Sequence, residues 1–202
     1  MANIAAIRSV GSSLAAYLNN AYRDAAFPPN VTKPECTFSL TSIGGLRAQD
    51  VPSSDTSARV LIFLYRASMN RHLRNAGRTT DPAMRPVPLS IDLHYLVTFW
   101  AQSGENEQLV LAWTMRQLHQ LPVLDSSILS REAAWTAEDL IQLIPEEIDT
   151  DELMRIWDTL DPKYRLSLSY IARVVRIDAD QVRDERPVVA TRFDYAGPAP
   201  QR

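Results

Sequence analysis

Asp92 and His94 stand two residues apart within Pro88–Trp100. A carboxylate beside an imidazole is the pair from which general-base chemistry is commonly built. On a β-strand a spacing of two puts both side chains on one face, where a third group could meet them. A hydrolase or transferase would also need an activated nucleophile, and no G-x-S-x-G pattern occurs in the chain. His72 and His119 have no carboxylate or second histidine at ligand spacing, so neither reads as a metal ligand. Cys36 is the only cysteine, which is too few for a zinc site or an intramolecular disulfide. Neither a P-loop nor a G-x-G-x-x-G occurs, and Gly44-Gly45 reads as a turn. The acidic stretch Glu146–Glu152 lacks the glycine and spacing of an EF-hand loop and suits the start of a helix instead. The residues therefore predict no catalytic set, no metal and no cofactor. Asp92 and His94 are expected to satisfy each other or a partner. A small hydrolase or transferase using them, with His119 as a candidate third member, is the alternative.

The elements that must carry these groups follow from periodicity. Leu89, Ile91, Leu93, Tyr95, Val97 and Phe99 alternate with Ser90, Asp92, His94 and Thr98, and only Leu96 breaks the pattern. This predicts a long half-buried strand at the centre of a sheet. Val60–Arg66 is apolar on both faces and predicts a strand covered from both sides. Tyr164–Asp178 predicts a third strand, and Thr37–Leu40 a short fourth. Spacings of three, four and seven among Ile4, Ile7, Leu14, Leu18 and Ala21 predict a helix over Asn3–Tyr22, stopped by Pro28-Pro29. Ser103, with Glu105 and Glu107 behind it, predicts a helix that ends before Pro122. Thr136-Ala137-Glu138-Asp139 resembles a capping box for a short helix through Leu143. Thr150 predicts a cap for a helix over Asp151–Leu160, ended by Asp161-Pro162. Gly44–Ser57 reads as a loop. The expected class is α/β (α+β): a mixed central sheet of about four strands flanked by helices, with long loops and a C-terminal arm. The domain is expected over 1–178 and the Pro-containing arm over 179–202, where Pro187–Phe193 could add one more strand.

Composition bounds the partners. A hydrophobic content of 46% is enough to bury a core. A net charge of −3 supplies no global basic field toward nucleic acid or anionic lipid. No run of about 18 apolar residues is present, and Arg8, Gly11, Ser12 and Ser13 interrupt any signal-peptide core. The expectation is a soluble protein made in a reducing compartment. The one cationic concentration is Arg71, His72, Arg74, Arg78 and Arg85 against the single acid Asp81. No aromatic residue lies there to stack on bases. Docking onto an acidic protein neighbour is the functional expectation, and a solvated loop the plain one.

Five stretches in order and spacing resemble a known family. They are Leu64-Tyr65-Arg66 with Asn70 and Arg74-Asn75; Pro88–Thr98; Met115–His119 with Pro122–Leu124; Glu152-Leu153 with Trp157; and Tyr164–Tyr170. Together they are similar to the tail-terminator, or cap, proteins of extracellular contractile injection systems, the phage-tail-like particles of virulence-cassette and antifeeding-prophage type. The resemblance implies an α/β domain that forms a six-fold ring on the distal end of inner tube and contractile sheath and ends their polymerisation without catalysis. It implies partners in other copies of itself, in the tube protein and in the sheath protein, with no nucleic acid and no membrane. It also implies assembly in the bacterial cytoplasm and then residence in the particle. The expected partner-contacting residues are Arg66, Asn70, Arg71, Arg74, Asn75 and Arg78. A monomeric assembly adaptor is the third reading. After Asp178 the chain departs from relatives that carry a longer C-terminal region.

Overall fold

A computed structural model describes residues 2–48, 50–54, 56–73, 88–160 and 164–178. The expected arm over 179–202 and strand Pro187–Phe193 lie outside these residues, as do Arg74, Asn75 and Arg78. The spine strand is β3 (Leu89–Ala101), buried from Ile91 onward. It pairs antiparallel with β2 (Ser57–Met69) on one side and with β6 (Ser167–Ile177) on the other. β1 (Glu35–Thr41) runs parallel to β2, β5 (Ile141–Glu146) antiparallel to β6, and β4 (Val123–Leu124) against β5. The sheet order is β1-β2-β3-β6-β5-β4. Among the described residues the sheet thus has six strands, where about four are expected.

Two layers cover it. On one face lie Ile91, Leu93, Tyr95, Val97 and Phe99, under α1 (Ala6–Arg23) and α3 (Gly104–His119). Val10, Leu14, Leu18 and Tyr22 of α1 recur every fourth residue, which makes the stripe a helix needs to lie on a sheet. The close approach is fixed at Gly11, where a Cβ would stand 2.7 Å from the Leu40 side chain. Tyr22 meets Trp113 of α3 edge to face at 4.8 Å. As the sequence indicates, Ser103 caps α3, its hydroxyl accepting from the Asn106 amide.

The second face is also buried, so the polar side of β3 does not meet water. Leu61, Leu96 and Trp100 pack there against Leu46, Trp157 and Leu160. Leu46 belongs to α2 (Ile43–Arg47), a short helix within the segment expected to be loop; Ser42 Oγ accepts from the Gly45 amide at its start. Trp157 belongs to α4 (Thr150–Asp158), close to its expected span. The Thr136 capping box forms in the hydrogen-bond sense, with the Thr136 amide and hydroxyl both donating to Asp139. No helix follows it. The chain turns and enters β5, because Ile141 and Leu143 find a core to fill beside β6.

Both margins of the sheet are covered in part. Asn19 of α1 reaches β1, where its Oδ1 accepts from the Phe38 amide at 3.0 Å and its Nδ2 donates to the Phe38 carbonyl at 2.6 Å. On the far side β4 covers the start of β5, the Leu143 amide donates to the Pro122 carbonyl, and Pro145 has no amide hydrogen to offer.

Tyr95 places its hydroxyl in this interior with no partner among the described residues, and burial pushes its pKa up. An unpaired buried hydroxyl costs about 1–3 kcal/mol, and replacing it with an apolar group of the same shape removes that cost. Tyr95→Phe should therefore unfold at an equal or higher denaturant midpoint than the parent; a clear drop would reveal a partner for the hydroxyl.

Candidate functional site

The polar groups of β3 find their partners through irregularities in the neighbouring strands. On β2 the register against β3 shifts between Leu64 and Arg66, leaving Tyr65 as an extra residue. Such a bulge makes consecutive side chains project from one face instead of alternating. Tyr65 and Arg66 accordingly both reach Glu146, at the end of β5. The Tyr65 hydroxyl donates to Oε2 at 2.8 Å and Arg66 Nη2 to Oε1 at 3.1 Å. Ser169 of β6 donates to Oε2 at 2.8 Å, and His94 Nδ1 lies 3.0 Å from Oε1. Arg66 also stands 3.6 Å from Glu152 of α4.

Burial alone would raise the Glu146 pKa. Hydrogen bonds from Ser169, Tyr65 and His94, together with the electrostatic influence of His94, outweigh it and hold the carboxyl below the usual 4.5. Burial, chiefly, pushes the Tyr65 phenol up to about 12.

The second His94 nitrogen, Nε2, lies 3.0 Å from Ser68 Oγ. Serine, imidazole and carboxylate in series is the order that activates a hydroxyl nucleophile. Here Ser68 sits within a paired strand opposite Asp92, not on an exposed turn. The carboxylate is shared among donors from β2, β3 and β6. This arrangement clamps the end of β5, and the α4 that follows it, onto the sheet.

Asp92 shares a face with His94 but has different partners. Asn70 Nδ2 lies 3.0 Å from both of its carboxylate oxygens. Arg173 Nε stands 3.8 Å away. A second bulge supplies that arginine: Arg173 and Val174 together oppose Asp92, and Val174 takes a φ of 33°, strained for a β-branched residue.

Of the residues expected to touch a partner, Arg66 is exposed, with its guanidinium on Glu146. Asn70 is buried, and its Oδ1 also accepts from the His72 and Leu73 amides. Arg71 is exposed at the start of the turn that follows. Arg74, Asn75 and Arg78 lie outside the described residues. Glu146 is the group that sequence reasoning missed as a hub, since its partners stand 23 to 81 positions away. Among the described residues no group of three or more His, Cys, Asp or Glu converges as a metal site would require.

His119 lines a cleft of about 600 Å³ at the β5 edge. One wall is the end of α3, with Met115, Arg116 and His119. The other walls are Pro145 in β5, Glu147 and Ile148 after it, Leu153 of α4, and Leu168 and Tyr170 of β6. The lining is mostly apolar, and Glu146 and Glu147 are its acids.

Residues 9–191 match the family described as the Pvc16 N-terminal domain. Among solved structures, the chain is similar to the sheath/tube terminator of an extracellular contractile injection system, PVC, in its extended state. The identity is 24% and the TM-score 0.54, over 96% of this chain and 64% of that one. It is also similar to the tube-terminating cap of the anti-feeding prophage, at 19% identity and a TM-score of 0.49, over 96% and 62% of the two chains. The chain therefore spans somewhat under two thirds of the length of either. No curated protein matches it.

Proposed function

Because this chain belongs to the Pvc16 N-terminal-domain family, we propose that it is a structural cap. It closes the distal end of the inner tube and contractile sheath of a phage-tail-like injection particle and ends their polymerisation. The observation that carries the reading is the family match, which takes in all six strands and all four helices apart from the first residues of α1. The fold shared with a sheath/tube terminator agrees with it. So does the Glu146 cluster, whose groups are spent on one another and hold the sheet together.

The proposed partners are the tube protein, the sheath protein and further copies of this chain closed into a ring, with six copies as the expected number. The cap is assembled in the bacterial cytoplasm and then travels with the particle. Arg71, Arg74, Asn75 and Arg78 are proposed to dock on a neighbouring protein, with Arg66 and Asn70 fixing the strand from which that segment departs.

Electron microscopy of particles from a strain lacking this protein tests the reading. Tubes and sheaths of uncontrolled length, or unstable uncapped particles, are expected. Particles of normal length and stability would overturn it.

A further inference from the structure

We infer that Asp92 is a positioning residue. Through Asn70 it fixes the turn Asn70–Leu73, and with it the direction in which Arg71 and His72 leave the sheet. This rests on the docking role proposed above for the segment that opens at Arg71, and names what holds its root.

Asn70 is the last rung of the ladder between β2 and β3. Its amide donates to the Ser90 carbonyl at 3.0 Å, and residues 71–73 then turn away. Two positions back, Ser68 stands opposite Asp92, so the Asn70 and Asp92 side chains are diagonal neighbours on one face.

A carboxamide has two unlike ends, an oxygen that accepts and an NH2 that donates. A carboxylate only accepts, so the NH2 end must turn to Asp92, and it lies 3.0 Å from both carboxylate oxygens. That leaves Oδ1 facing the turn, where it accepts from the amides of His72 and Leu73, each at 3.1 Å. Asp92 thus sets the polarity of the relay. Both members are buried, Asn70 at 2% and Asp92 at 9% exposure, so water is a poor substitute for either bond. Arg173 Nε, 3.8 Å from Asp92, brings the positive charge that a buried carboxylate needs. Arg71 and His72, in contrast, are exposed. A buried network therefore orients two side chains that are open to a neighbour.

Asp92→Asn tests this, with each variant returned to a strain lacking the protein. An amide at position 92 can present either end to Asn70, so the turn should loosen. Hydrogen exchange at the His72 and Leu73 amides of the purified chain should quicken roughly two- to tenfold, the factor that one hydrogen bond's net contribution represents. The β3 amides over 93–99 should keep the parent's protection. The share of particles carrying the protein should fall by up to the same factor, as the docking-competent turn becomes less populated. The swap Asp92→Asn/Asn70→Asp returns an acceptor to the turn and a donor to its neighbour, and should restore both readings. Exchange at the two amides no faster than in the parent would overturn the inference. So would faster exchange with undiminished attachment, where Arg71→Ser/Arg74→Ser/Arg78→Ser does lose attachment. If that triple variant attaches as well as the parent, the docking role falls and the inference with it. If Asp92→Asn loses the whole fold, the swap decides, and its failure to restore the turn would overturn the relay.

Discussion

Truncating Glu146 to alanine should cost about 2–3 kcal/mol, the upper part of the range for leaving hydrogen-bonding groups without their acceptor. The carboxylate accepts from Tyr65, Arg66 and Ser169 and lies against His94, and its side chain is 14% exposed. Alanine would leave the Arg66 guanidinium and the His94 imidazole facing a void, with two hydroxyls to find new partners. Tyr65→Phe or Ser169→Ala, by contrast, removes one donor and should cost about 1 kcal/mol. The effect has a pH signature. Folding lowers this carboxyl's pKa, so its contribution is present above the unfolded value near 4.5 and drains away as pH falls through the lower folded value. Glu146→Gln should be less stable at neutral pH and should lose that part of the parent's acid sensitivity. Urea melts of parent, alanine and glutamine variants from neutral pH down to below 4.5 would decide. An alanine variant within about 1 kcal/mol of the parent at neutral pH would show that the cluster does not act as a clamp.

Trp100→Ala should be more severe, about 3–5 kcal/mol. Trp100 is 1% exposed and is, with Trp157, one of the two largest members of the small cluster on the α4 face. Its indole N–H donates to Thr98 Oγ1 at 2.8 Å, its ring stands 6.5 Å from that of Trp157, and the Arg165 guanidinium lies 5.1 Å above it. Loss of the indole removes the floor on which Trp157 and Leu160 rest, so the damage should concentrate on α4. Hydrogen exchange should show amides of 150–158 opening well below the global unfolding free energy, while α1 and α3 open only with it. Uniform loss of protection over the whole chain would mean that the two faces are one cooperative unit.

The contrast between those two faces also explains what the sequence made legible. β3 could be read as the spine because its alternation survives twelve residues, and α1 because its stripe recurs every fourth position. The cover over the polar side of β3 could not be read: it depends on Leu46 and Trp157, which lie in short elements more than a hundred residues apart. β5 was mistaken for a helix because Thr136–Asp139 has the composition of a capping box, and the β-strand preference of Ile141–Ile144 is cut short by Pro145. Proline is tolerated there because that side of the strand leads off the sheet. Asp92 and His94 share one face, as the spacing predicts. Asp92 bonds to Asn70 and His94 to Glu146 and Ser68, while the bulges bring Tyr65 and Arg66 to Glu146 and Arg173 near Asp92. A strict period of two puts Arg66 on the opposite face from Tyr65, and one extra residue on β2 brings them together. Nothing local in Val60–Arg66 marks that residue. The Glu146 hub was hidden for the same reason, as a meeting of four strands at one carboxylate.

The margins of the sheet bear on whether further strands can add to it. A β-sheet with an open margin has free valence: its outermost amides and carbonyls will accept another strand, and that strand presents the same invitation again. In this chain part of that valence is spent internally, at Phe38 by a side-chain amide and along β5 by a short strand and an imino acid. A strand adding beside β1 would first have to displace Asn19 from Phe38.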